Sequence, residues 1–117
     1  MTKIAVIVLA GTEARADLGR LVNALETAKE CMEANDDLEL IFAGAAVQWV
    51  GEREDDDHPY SALYRSVSAE VAVCDYCVGA YGAAESVDAA GVTRVDEFEG
   101  HPSIRSLAAD GYEVITF

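Results

Sequence analysis

Cations are scarce in this chain. Of its 117 residues, eight are lysine or arginine against 22 aspartate or glutamate, a formal net charge of −14. The lysines are Lys3 and Lys29 alone. A surface so short of positive charge excludes nucleic acid and anionic membrane as partners, because both are held through clustered Lys and Arg. Long apolar runs are also missing, and no segment approaches the ~20 residues needed to span a bilayer. There are three cysteines, an odd count with no evident disulfide framework, so reduced thiols in the cytoplasm are expected. The acidic, lysine-poor composition suits concentrated salt, where the screening length falls to ~3 Å and self-repulsion is muted. It points to a halophilic source.

What is present is an ordinary apolar content, 51% of residues, in a chain long enough to bury one core without staples. Lys3, the run Ile4–Ala10 and Ala14-Arg15-Ala16 faintly resemble a secretory signal. The run is short, however, and Glu13 and Arg15 crowd the cleavage position. A strand over 3–10, buried on both faces, is the favoured reading. Leu18, Leu21, Val22, Leu25, Ala28 and Met32 form a helical stripe over 16–34, closed by Asn35-Asp36-Asp37. Cys31 lies on its flank and is expected to pack as a small hydrophobe.

A second strand runs from Leu38 to Ala46, and Val47–Val50 leads into a loop. The acidic stretch Gly51–His58 is expected to be a solvated connector, since it lacks calcium-loop spacing. Pro59 suits a first helical position, and Leu63, Tyr64 and Val67 mark one face of a short helix. After the cysteine stretch come a helix over 83–90 ended by Gly91, a strand over 92–98, a helix opened by Gly100-His101-Pro102-Ser103, and a terminal strand over 113–117. Strands alternating with helices in this order predict an α/β layered fold with a mostly parallel five-stranded sheet, in one domain over residues 1–117.

The stretch Val71–Gly82 carries the chemistry. A β-branched run ends in Cys74 and Cys77, and small residues follow. The end of a strand feeding a helix is where α/β domains place reactive groups. Unpaired N–H groups of a first helical turn favour thiolate, whereas Asp75 and the net negative charge oppose it. The expected thiol pKa is therefore nearer an ordinary cysteine than a strongly activated one. C-x-x-C spacing is compatible with a disulfide couple, a sulfur carrier or half of a metal site. A metal would require Cys31, His58 or His101 to converge on the pair, because two cysteines are too few alone. No metal or cofactor is expected. His101 is a candidate to approach the thiols as a cation or proton donor. Trp49 and Tyr76 are candidates to line a pocket mouth, and Thr12 to offer a hydroxyl to a bound anion.

Four features together resemble the DsrE/DsrF-like family of small sulfur-relay proteins. They are the apolar first strand before a long helix, the strand Val71-Ala-Val-Cys74, the small-residue segment ending at Gly82, and the closing strand Glu113-Val-Ile-Thr-Phe117. The resemblance spans nearly the whole length, and the lysine-poor form is similar to a haloarchaeal branch. It implies a three-layer α/β/α sandwich and assembly as a homo-oligomer, a trimer or hexamer. In sulfur-carrier members a cysteine stands eight residues before a glycine, which here is Cys74 before Gly82. Other members carry C-x-x-C at that place, as Cys74 and Cys77 do. An arginine often precedes the glycine, where this chain has Tyr81. The implied activity is carriage of sulfane sulfur as a persulfide on Cys74, with Cys77 as resolving partner, between donor and acceptor proteins. A dithiol–disulfide oxidoreductase and a non-enzymatic homo-oligomeric binding or scaffold module with structural cysteines stand beside it as alternatives.

Overall fold

The computed structural model describes residues 2–50 and 60–117. The acidic connector, His58 and Pro59 lie outside the described residues. The elements are β1 (Lys3–Val8), α1 (Arg15–Glu33), β2 (Asp37–Phe42), a 3-10 turn (Gly44–Gln48), α2 (Ser61–Val67), a second 3-10 turn (Ser68–Glu70), β3 (Val71–Cys74), α3 (Asp75–Ala80), α4 (Ala84–Ala90), β4 (Thr93–Val95), α5 (Ile104–Ala109) and β5 (Glu113–Thr116). The strands form one sheet in the order β4-β3-β2-β1-β5. Every pairing is parallel, with Val8 opposite Phe42, Phe42 opposite Val73, and Cys74 opposite Val95. Helices cover both faces, as the three-layer expectation requires.

Strand alternation splits the apolar residues between two cores. Val6, Val8, Leu40, Phe42, Val71 and Val73 pack on one face under the larger helical layer. Leu21, Leu25 and Ala28 of α1, with Tyr64 and Val67 of α2, close that core. Ala5, Ile7, Ile41 and Ala72 point to the other face, where Leu107 of α5 and Tyr112 pack on them. This asymmetry follows from topology. The steps β1 to β4 progress in one direction and put their helices on one side. The return from β4 to β5 reverses direction and sends α5 to the other.

The expected helical stripe is present, turned so that Cys31 is buried while Leu18 and Met32 are only partly covered. The helix ends as Asn35-Asp36-Asp37 suggests. Asn35 takes φ 59°, its N–H donates to Met32 O, and the Asp36 N–H donates to Cys31 O, the bond pair of a Schellman stop. Gly91, at φ 69°, terminates α4 in the left-handed region. Four predicted strands are longer than those observed: 3–10, 38–46, 92–98 and 113–117 shorten to Lys3–Val8, Asp37–Phe42, Thr93–Val95 and Glu113–Thr116. Just past those ends the Leu9 N–H still donates to Phe117 O and the Ala43 N–H to Val8 O, at 2.8 and 2.9 Å.

Candidate functional site

Cys74 is the last residue of β3, and α3 starts at the next residue. The Gly- and Ala-containing segment after the first cysteine is therefore helical from its beginning. One helical turn separates Cys74 from Cys77, so C-x-x-C spacing returns the second sulfur towards the first. Both side chains are covered, Cys74 completely and Cys77 to 9% exposure.

The third member comes from the loop after β4. Phe98 and His101 form an antiparallel bridge: the Phe98 N–H donates to His101 O (2.9 Å) and the His101 N–H to Phe98 O (2.8 Å). Between them Glu99 and Gly100 take φ 51° and 84°, the two positive values of a type I′ turn. The turn is fastened to α3 where the Tyr76 N–H donates to Gly100 O at 2.8 Å. The Ser103 N–H donates to a Glu97 carboxylate at 2.9 Å, and the Ser103 hydroxyl caps α5 by accepting from the Ser106 N–H.

This scaffold sets His101 Nδ1 3.3 Å from Cys74 Sγ, while the thiol also faces Gly100 O at 3.8 Å. The two sulfurs and an imidazole nitrogen all lie within 4.8 Å of one another. The Tyr76 ring lies against His101, with centroids 4.8 Å apart, and is itself 59% exposed. An Ala in place of Gly100 is expected to destabilise the fold by about 1–2 kcal/mol, the cost of a side chain in the left-handed region. Its Cβ would also meet Tyr76 Cβ at 3.3 Å. A denaturant midpoint unchanged in G100A would show that the turn is not needed.

Burial pushes the Cys74 thiol up to about 11. A hydrogen bond with the Cys77 side chain and the Cys77 charge act in the same direction, and the backbone N–H groups of Cys77 and Tyr76 oppose them. Desolvation thus outweighs the helix-start amides, and the thiol lies above the ordinary cysteine value expected from sequence. Asp75 is less hostile to the thiols than the sequence suggests. Its carboxylate pairs with Arg94 at 3.2 Å, and Arg94 also holds Asp88 at 2.8 Å.

Because the Cys74 thiol stays protonated through neutral pH, its alkylation by iodoacetamide is expected to climb about tenfold per pH unit up to about pH 11. An ordinary cysteine levels off above about 8.5. Peptide mapping after timed quenching at each pH measures the rate at Cys74 separately, and a plateau below pH 9 would contradict the burial effect. The sign for stability follows from the same shift. The folded thiol gives up its proton later than the unfolded one, so its contribution is complete below about pH 9. It is lost as pH rises to about 11.

The remaining candidates fall elsewhere. Trp49 is a core residue, 3% exposed, and its indole N–H donates to Ala10 O at 2.8 Å, fixing the exit of β1. Thr12 lines a pocket with Glu13, Asp17, Gln48 and Tyr81, where the two carboxylates oppose an anion. Cys31 is buried within the α1 stripe, and its thiol is raised by desolvation and by Asp36 and Glu30. Gly100 and Arg94 were not singled out from sequence. A Glu-Gly pair at the tip of a short turn was the available signal for Gly100, and nothing local announces that Arg94 meets Asp75.

The fold is shared with two solved structures. A conserved protein of unknown function from Bacteroides thetaiotaomicron, BT1422, superposes with a TM-score of 0.64 at 14% identity, covering 97% of this chain and 94% of that one. The ychN protein of E. coli superposes with a TM-score of 0.62 at 20% identity over all of both chains. In sequence the chain is 26% identical over 95 residues to the uncharacterized protein MJ0733 of Methanocaldococcus jannaschii, covering 81% of this chain and 78% of the relative. The family model described as DsrE/DsrF-like family matches residues 3–117, and the chain belongs to that family.

Proposed function

We propose that this domain, residues 1–117, is a sulfur-relay protein that carries sulfane sulfur as a persulfide on Cys74. The observation that supports it most is the convergence of Cys74, Cys77 and His101 at the carboxyl edge of a parallel sheet. Cys74 Sγ attacks the outer sulfur of a donor persulfide. The new Sγ–S bond forms as the donor's S–S bond breaks, and the donor leaves as a thiol. His101 Nδ1, 3.3 Å away, accepts the Cys74 proton that burial would otherwise hold in place. An acceptor thiol then takes the outer sulfur. Alternatively the Cys77 sulfur attacks Cys74 Sγ, releasing sulfide and leaving a disulfide that an external dithiol reduces. The exposed apolar residues Leu9, Phe98, Ile104 and Ile115 suit a homo-oligomer, and the free thiols suit the cytoplasm.

A second reading is favoured by the burial of both thiols, namely a homo-oligomeric binding module whose cysteines pack as apolar groups. Under the first reading the exposed Tyr76 ring moves aside to admit a donor while His101 stays beside the thiol. Intact mass after anaerobic incubation with a sulfane-sulfur donor separates the two. One added sulfur supports the relay, and unreactive thiols support the module.

A further inference from the structure

We infer that Cys74, Cys77 and His101 form a binding site for one borderline-soft d10 cation, zinc in the first instance, leaving one coordination position open. The inference does not rest on the relay reading. Two thiolates and an imidazole are the donor set of three-ligand zinc sites, and a fourth position is then free for water or a sulfur ligand. Zn–S bonds of about 2.3 Å and Zn–N bonds of about 2.0–2.1 Å in a tetrahedron place sulfurs about 3.8 Å apart and sulfur and nitrogen about 3.5 Å apart. Here Cys74 Sγ and His101 Nδ1 are 3.3 Å apart, and no pair of the three ligand atoms exceeds 4.8 Å. Side-chain rotations that shorten the widest of these separations by about 1 Å close the triangle onto an ion.

The scaffold is already fixed from both sides. The two cysteines stand one helical turn apart at the β3–α3 junction, and the type I′ turn pinned by Tyr76 N–H to Gly100 O holds the histidine. The chain's net −14 favours uptake of a dication. Binding is not a redox step: the ion takes two S–metal bonds and one N–metal bond, and the two thiol protons pass to solvent. While the ion is bound, neither sulfur is free to attack a donor.

The test uses the full chain, reduced anaerobically and stripped with a chelator, with Co2+ as optical probe and Zn2+ in native mass spectrometry. The inference predicts a thiolate-to-cobalt charge-transfer band with tetrahedral d–d bands, bleached by Zn2+. It also predicts a mass increase of one Zn2+ less two protons. C74S and C77S should each abolish the band, and His101→Asn should weaken zinc binding about tenfold or more. Zinc should protect both thiols of the wild-type chain from alkylation, a readout that needs no variant to fold. Absence of the charge-transfer band in the wild-type chain, or zinc binding unchanged in C74S or in His101→Asn, would overturn the site. Sulfur uptake on Cys74 without zinc binding would overturn this inference and leave the relay reading standing. The reverse result would overturn the relay and uphold the site.

Discussion

Replacing Cys74 by serine is expected to abolish sulfur uptake altogether, with the one-sulfur adduct of the wild-type chain absent from the intact-mass spectrum of the variant. The reaction needs a polarisable sulfur that forms a stable S–S bond, and a hydroxyl at the same place offers neither a comparable anion nor a comparable bond. Cys77→Ser is expected to behave differently. It should still take up one sulfur, because the attacking atom is intact, and should hold it longer, because the internal thiol that ends the persulfide is gone. The pair of results discriminates among mechanisms. An adduct that survives in C74S and disappears in C77S would reverse the assigned roles. A wild-type chain that forms only an internal disulfide would favour a dithiol–disulfide oxidoreductase. Serine is small enough to sit at both positions, so retained folding, followed by circular dichroism, is expected in each case.

Truncating Phe42 to alanine is expected to cost about 3–5 kcal/mol, a large part of the ~5–15 kcal/mol that holds a domain of this kind together. Phe42 has no exposed surface and belongs to β2, the central strand, paired with Val8 on one side and Val73 on the other. Its ring meets Tyr64 of α2 edge to face, with centroids 6.3 Å apart and planes at 88°, so the loss includes an aromatic contact as well as transfer energy. The cavity cannot collapse easily, because the neighbouring strands are hydrogen-bonded in register. Equilibrium denaturation in high salt, where repulsion is screened for both proteins, measures the difference. A loss below about 1 kcal/mol would mean that the core repacks around the gap. Phe42 lies in the same strand system as the site, so F42A should also be assayed for alkylation of Cys74, the buried thiol one residue beyond Val73.

Much of the architecture could be read from local pattern. The apolar run from Ile4 is buried because both its faces are covered, and the spacing of Leu21, Leu25 and Ala28 needs only the period of a helix to be recognised. Asn35 and Gly91 stop their helices because each accepts a left-handed backbone. Strand ends were harder. Leu9 and Ala43 are apolar like the strand residues before them, yet they lie past the last pair of the register, Val8 with Phe42, and composition does not mark where a ladder ends. Trp49 was a plausible pocket residue because a lone aromatic in a connecting segment carries no sign of its surroundings. The carbonyl of Ala10, 39 residues earlier, claims its indole and puts it in the core.

By itself the sequence determined the alternation of strands and helices, the parallel sheet, the family, and the placement of Cys74 and Cys77 one turn apart. All of these rest on interactions between residues near one another in the chain, or on a periodicity that any covering layer satisfies. Only the tertiary structure decided that His101, 27 residues after Cys74, comes within 3.3 Å of its sulfur, and that Arg94, 19 residues after Asp75, neutralises it. It also decided the sign of the Cys74 shift. The amides at the start of α3 are local and lower the thiol, but the desolvation that outweighs them depends on everything packed around it. Burial is a property of the assembled core, whereas spacing is a property of the chain.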